Sequence, residues 1–285
     1  MMTPHGNIHQ KGFSLVSLMV AMVIGLFLIG AIIKIYLDSK NSFNTRNAVA
    51  EVAENARFAI DDMRSILVMA GRGIKAMEDQ FSNRRPFPDI DSTGALGTGI
   101  VDGGASGSDT IAIRYRKGPT CGPYQNVSLS LLPSKVRFYV TDFFGPNPTL
   151  VCELTQYDAG GNDTVTLNFV ISGVQKLKAL YGVDDNGDGY ADRYLTANQI
   201  GTPSSPGISV PPGANTPWAK VVSIRLALML SSESTLPASV ADQIIPSGDL
   251  NVLGLSVPKP DTDHIYKVVT TTIALRNLNP VIQRQ

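Results

Sequence analysis

The chain of 285 residues carries 24 basic and 24 acidic side chains, a formal charge of zero, so its charge balance gives no reason to expect nucleic acid as a partner. Charged residues make up 17% and hydrophobic residues 43%, enough for a real core in one or two small domains. Two cysteines, Cys121 and Cys152, are too few for a disulfide scaffold and lack zinc-site spacing, and beyond His5 and His9 only His264 is left for acid–base or metal chemistry.

The first predicted element is a helix. Phe13 to Ile33 is a run of 21 uncharged residues. As helix it is about 31 Å long, roughly one hydrocarbon core. It is too long for the apolar region of a secretory signal and does not end in a small-residue cleavage site. Lys11 before it and mixed charges after it favour a cytoplasmic amino terminus. From Asp38 to Met69 the pattern becomes amphipathic. Val49, Val52, Ala56, Ala59, Met63, Ile66 and Ala70 recur at helical steps, with Glu51, Glu54, Arg57, Asp61 and Arg64 largely on the other side. Gly71-Arg72-Gly73 supplies the stop, and either glycine suits a left-handed cap.

After Gly73 the composition changes. Residues 78–108 read as a long loop, as do Gly201–Pro217 and Leu236–Pro260. Between them lie alternating runs bounded by turn residues: Thr110–Arg116, Val127–Leu132, Val136–Thr141, Leu150–Tyr157, Val165–Ile171, Leu177–Val183, Val221–Leu230 and Ile265–Arg276. Val222, Ile224, Leu226, Leu228 and Leu230 form one clean face. These are expected to be half-buried strands of mostly antiparallel sheets, with the amphipathic half of the helix packed on a sheet face. The fold class is α+β.

Candidate sites follow from local spacing. Asp184, Asn186, Asp188 and Asp192 occupy positions 1, 3, 5 and 9 of an EF-hand-style loop, with the Tyr190 carbonyl at the seventh. Alternate side chains of such a loop converge on one point, which suits calcium. Leu195 stands where the bidentate Glu belongs, so a calcium ion would need a further ligand or water. The alternative is a tight Asx/Gly turn between strands. Cys121 and Cys152 are expected to form a disulfide if the body lies in an oxidising periplasm, the alternative being two buried thiols. His264 beside Asp261 and Asp263 reads as a solvated strand entry, and Trp218 as a core or interface aromatic. The sequence holds no GxSxG, no HExxH and no phosphate loop opening a helix, and no enzyme is expected.

The segment Lys11-Gly12-Phe13-Ser14-Leu15-Val16 resembles the processing site of type IV prepilins and type II secretion pseudopilins. The resemblance implies that a prepilin peptidase cuts between Gly12 and Phe13 on the cytoplasmic side and methylates the new amine. It makes residues 1–12 a leader, 13–70 a long helix that is transmembrane over 13–33, and 71–285 a periplasmic β-rich domain. Ser17 departs from the pattern, because the fifth residue after the cut is nearly always Glu in these families. A carboxylate at that depth is costly unless paired, and in the family it is held to pair with the terminal amine of a neighbouring subunit. Serine cannot neutralise an amine; it can donate back to a carbonyl one turn earlier.

Three further stretches resemble one subgroup, the PilW-type minor pilins: NARFAIDDMRSILVMAG over Asn55–Gly71, YGVDDNGDGYAD over Tyr181–Asp192, and Lys267–Leu278. This resemblance implies a long amino-terminal helix packed on a two-sheet β domain. It implies a structural subunit that helps prime type IV pilus assembly and forms part of the tip complex. Its partners would be other minor pilins, the major pilin, the prepilin peptidase, the inner-membrane assembly platform and a tip adhesin. Its location would be the inner membrane, single-pass with a periplasmic domain, and then the pilus near its tip. Two alternatives stay open: a minor pseudopilin of type II secretion, and an uncleaved single-span periplasmic binding protein.

Overall fold

The computed structural model describes residues 14–74, 86–87, 99–122, 134–143, 147–157, 163–201, 217–237, 240–241, 245 and 247–278. The chain divides into two compact units, residues 1–47 and 48–285. Helix α1 spans Leu15–Leu67.

In the first unit, α1 is apolar on every side from Leu15 to Ile33, and charge returns at Lys34, Asp38, Lys40 and Arg46. Leu15, Leu26, Phe27, Ile32 and Ile35 are all exposed. A helix that is apolar all round needs a non-aqueous surround, and this one is long and apolar enough to cross a membrane.

In the second unit, the helix is amphipathic and its buried stripe is narrow. Ala48, Val52, Ala56, Ala59, Met63, Ile66 and Leu67 form it. Four of its seven side chains are alanine or valine, so the helix backbone can approach the sheets closely. The helix stops at the two glycines expected, Gly71 and Gly73, with φ of 77° and 71°. Gly71 is also held by space, since a Cβ there would lie 2.3 Å from Leu278 Cδ2. The Asn277 side chain donates to the Val68 carbonyl at 3.0 Å, so a single helical turn at Arg276–Leu278 seals the end of α1.

Two four-stranded sheets pack with this part of the helix in one core. The first is a meander of β1 (Ile111–Tyr115), β2 (Ser134–Thr141), β3 (Thr149–Tyr157) and β4 (Asp163–Ser172), in the order β1-β2-β3-β4. The second contains β5 (Val174–Val183), β6 (Arg193–Leu195), β7 (Val221–Ser231) and β10 (Tyr266–Ala274), in the order β10-β7-β5-β6. Helix α2, Ala197–Gly201, follows β6. Every strand pair is antiparallel.

Most expected strands appear near their expected bounds; the run Val127–Leu132 lies outside the described residues, as does most of the 201–217 loop. The stretch Leu236–Pro260, expected as loop, holds a hairpin of β8 (Leu250–Val252) and β9 (Leu255–Val257). Its Val252 and Val257 cover Ala227 and Met229 on the face of β7 turned away from the helix. This is why β7 is buried on both faces, whereas a half-buried strand was expected. The 78–108 loop also differs from a plain surface loop, since Phe87 and Ile100 belong to the core.

Candidate functional site

Gly12 and Phe13 lie outside the described residues. Ser17, the position that departs from the prepilin pattern, lies in the first turn of α1. The Ser17 hydroxyl donates to the Ser14 carbonyl at 2.7 Å, and the Leu18 amide reaches the same carbonyl at 3.2 Å. The hydroxyl is thus satisfied within its own turn. No acidic residue stands in the first turn of α1. This end of the helix offers a neighbour no carboxylate.

Cys121 and Cys152 form a disulfide with Cα atoms 5.7 Å apart. It ties β3 to the turn that follows β1, deep in the core, where the two residues are 0% and 2% exposed. The next residue, Gly122, has φ of 65°, and a Cβ there would meet the Phe169 ring at 2.6 Å. Phe169 in turn meets Phe58 of α1 edge-on, with centroids 5.8 Å apart. Asp62 of α1 bonds the Gly122 backbone; burial pushes its carboxyl above the ordinary value, against that bond. Helix, disulfide turn and β4 therefore meet at one place.

The 184–192 loop brings its four predicted side-chain donors together around its own amides. Asp184 is 3% exposed and accepts from the Gly187 and Gly189 amides at 2.5 and 2.8 Å. Both glycines have positive φ, which that inward turn needs. Asn186 Oδ1 accepts from the Asp188 amide and Asp188 Oδ1 from the Tyr190 amide. Asp192 accepts from the Asp185 and Asn186 amides at 2.7 and 3.3 Å. The Asn186 side-chain amide reaches Asp188 Oδ2 at 3.2 Å and Asp192 Oδ1 at 3.4 Å. It thus stands between two carboxylates that a cation would bridge. Arg193 pairs with Asp185 at 2.9 Å, and Lys220 donates to the Asp185 carbonyl at 3.0 Å. The donor set is all oxygen, as calcium requires, yet the loop closes on internal bonds. The Tyr190 side chain projects outward, 77% exposed.

A buried ion pair under the outer face of the second sheet is not legible in the sequence. Lys178 and Asp109 lie 2.8 Å apart with side chains 3% and 9% exposed. Asp109 also accepts from the Ala179 amide at 2.8 Å and the Gly103 amide at 2.9 Å, while Lys178 donates to the Gly104 carbonyl. Burial pushes the Asp109 carboxyl above its ordinary value, against these bonds. Lys178 alternates with Leu177 and Ala179 of the core, so its position reads as solvent-facing. The 101–110 segment covers it from far away in sequence.

At the entry to β10, His264 Nδ1 lies 2.9 Å from Asp261 and 3.5 Å from Asp263. Burial works to raise the Asp261 carboxyl, but hydrogen bonds from His264 and Tyr266 outweigh it and hold it at about 2. The His264 side chain is 17% exposed, while those of Asp261 and Asp263, at 37% and 49%, stay open to water. The Asp263 carbonyl accepts from the Leu236 amide at 2.7 Å, which fastens this entry to the chain leaving β7. Trp218 is a core aromatic, with Phe87 and Tyr181 centroids at 5.1 and 4.8 Å.

Residues 137–277 match the family model of the type IV pilus-assembly protein W, PilW, and residues 7–33 match the prokaryotic N-terminal methylation motif. The chain is a type IV pilin-like protein of the PilW family. Among solved structures, a type IV-like pilin from Thermus thermophilus is similar at 13% identity with a TM-score of 0.42, covering 79% of this chain and 97% of that one. No curated protein sequence matches. The PilW match runs from β2 to the end of β10 and takes in the 184–192 loop. The disulfide joins Cys152 inside that match to Cys121 outside it. The methylation match contains Gly12, Phe13 and Ser17, and with the apolar helix it marks a membrane-anchored pilin.

Proposed function

We propose that this PilW-family chain is a minor pilin that helps prime type IV pilus assembly and stands at or beside the tip of the filament. The prepilin peptidase cuts it between Gly12 and Phe13 in the inner membrane. The assembly platform, other minor pilins and the major pilin are its partners, with a tip adhesin carried above it. Its role is structural, not enzymatic.

The observation that carries the tip position is Ser17. A subunit entering beneath another needs a carboxylate to meet the amine ahead of it, because an unpaired charge in the hydrocarbon is costly. Ser17 spends its hydroxyl on Ser14 and has no charge to offer. A subunit with nothing ahead of it needs none, and its own free amine remains available to the next. Replacing Ser17 with Glu tests this. Pilus number and the amount of this chain along the shaft should stay level or fall, by immunogold counting and quantitative blotting of sheared pili. A large rise in either would make Ser17 a defect in an ordinary shaft subunit.

We also propose that the 184–192 loop takes calcium, through Asp184, Asn186, Asp188, Asp192 and the Tyr190 carbonyl. The missing twelfth-position acid and the competing internal bonds put the expected dissociation constant at about 10⁻⁴–10⁻³ M. Calorimetric titration of the full chain in detergent should show this binding together with a rise in melting temperature. No heat and no shift at millimolar calcium would remove the proposal.

A further inference from the structure

The second sheet ends in β10, and the hydrogen-bond register fixes which of its backbone groups face out. The Leu275 amide donates to the Val222 carbonyl and the Ser232 amide to the Ile265 carbonyl. In an antiparallel pair, hydrogen-bonded and non-bonded residues alternate. The odd-numbered residues of β10 therefore bond β7, and the amides and carbonyls of Val268, Thr270, Thr272 and Ala274 point away from it. No described residue pairs with them, and Thr270, Thr272 and Ala274 are exposed.

Other edges are treated differently. The β1 edge is covered, because the Gly71 amide donates to the Arg114 carbonyl, the Arg116 amide to that of Arg72 and the Arg114 amide to that of Pro86. The β6 edge is three residues long. The pairing of β4 with β3 is bulged at Gln156 and Tyr157. β10 has nine residues, no proline, no register shift against β7 and a single charge, Lys267. Soluble proteins blunt long straight edges of this kind unless something pairs with them.

We propose that the open edge of β10 is an interaction surface, joined as an added strand by an extended segment of a neighbouring pilin-like subunit. The identity of that neighbour rests on the minor-pilin reading above. A row of alternating donors and acceptors is complemented by another extended backbone, which sets the class of occupant. A second copy of this chain offers Lys267 no acidic partner. β10 contains no acid, and antiparallel self-pairing over all nine residues would set Lys267 across from Ile273 of the other copy. The fitting segment carries a carboxylate opposite Lys267 and small or β-branched side chains beside Thr270, Thr272 and Ala274.

The test places a photo-reactive benzoylphenylalanine at position 272 of the full chain in pilus-forming cells and identifies the coupled peptide by mass spectrometry. The expected product is a strand segment of another pilin-like subunit. Thr270→Pro removes one outward amide without touching a bond to β7, so it should abolish coupling while chain level and the Cys121–Cys152 bond stay unchanged. Lys267→Glu should reduce coupling severalfold and checks the same surface without altering the backbone. Coupling to a second copy of this chain, or coupling that survives both changes, overturns the proposal. A chain found in sheared pili whose position 272 couples to nothing also overturns it and leaves the minor-pilin reading standing. A chain absent from pili that still couples to a pilin-like strand supports the edge and removes the tip reading.

Discussion

Replacing Lys178 with methionine should destabilise the β-rich unit by about 3–5 kcal/mol, the cost of breaking a buried ion pair from one side. The loss of the ammonium leaves the Asp109 carboxylate under the 101–110 segment with only two amide donors, from Gly103 and Ala179. Lys178 also donates to the Gly104 carbonyl, so the same change frees the loop that shields the pair. Denaturant titration of the full chain in detergent, followed by tryptophan emission from buried Trp218, reads the change. The double variant Lys178→Met with Asp109→Asn should recover part of the loss, because no charge then stays buried alone. A loss below about 1 kcal/mol in the single variant would mean that water reaches the pair, as it does in surface pairs.

Removing the Cys121–Cys152 bond should cost about 3–4 kcal/mol in the chain-entropy model. The bond closes a sequence separation of 31, and it is surrounded by Phe169, Gly122 and Asp62, which join the sheet to α1. The unreduced chain should gain no mass with an alkylating agent, even in denaturant. After reduction it should gain two adducts, and its unfolding midpoint should fall. A Cys121→Ser, Cys152→Ser chain that unfolds at the same denaturant concentration as the parent would show that the packing holds the turn without the bond.

What could be read in the sequence was local. The helix showed in three- and four-residue spacing, its stop in Gly71 and Gly73, and most strands in alternation. The Ser17 bond could be anticipated because its acceptor lies three residues away. The inward turn of the 184–192 loop was likewise written in its own Asp and Gly positions. What escaped was non-local. Lys178 sits between two core residues in the alternation of β5, and its partner Asp109 is 69 residues away in the chain. The β8–β9 hairpin escaped because three-residue strands carry too little alternation to separate from loop. Without that hairpin, the second buried face of β7 could not be foreseen. Phe87 and Ile100 were hidden by the Gly-, Ser- and Pro-rich composition around them.

Edman sequencing and intact-mass analysis of the chain extracted from membranes read the processing step itself. A minor pilin predicts an amino terminus at Phe13, with the leader to Gly12 gone and a methyl group on the new amine. A chain that keeps Met1 or Met2 would be an uncleaved single-span protein, and the pilus assignment would fall with it.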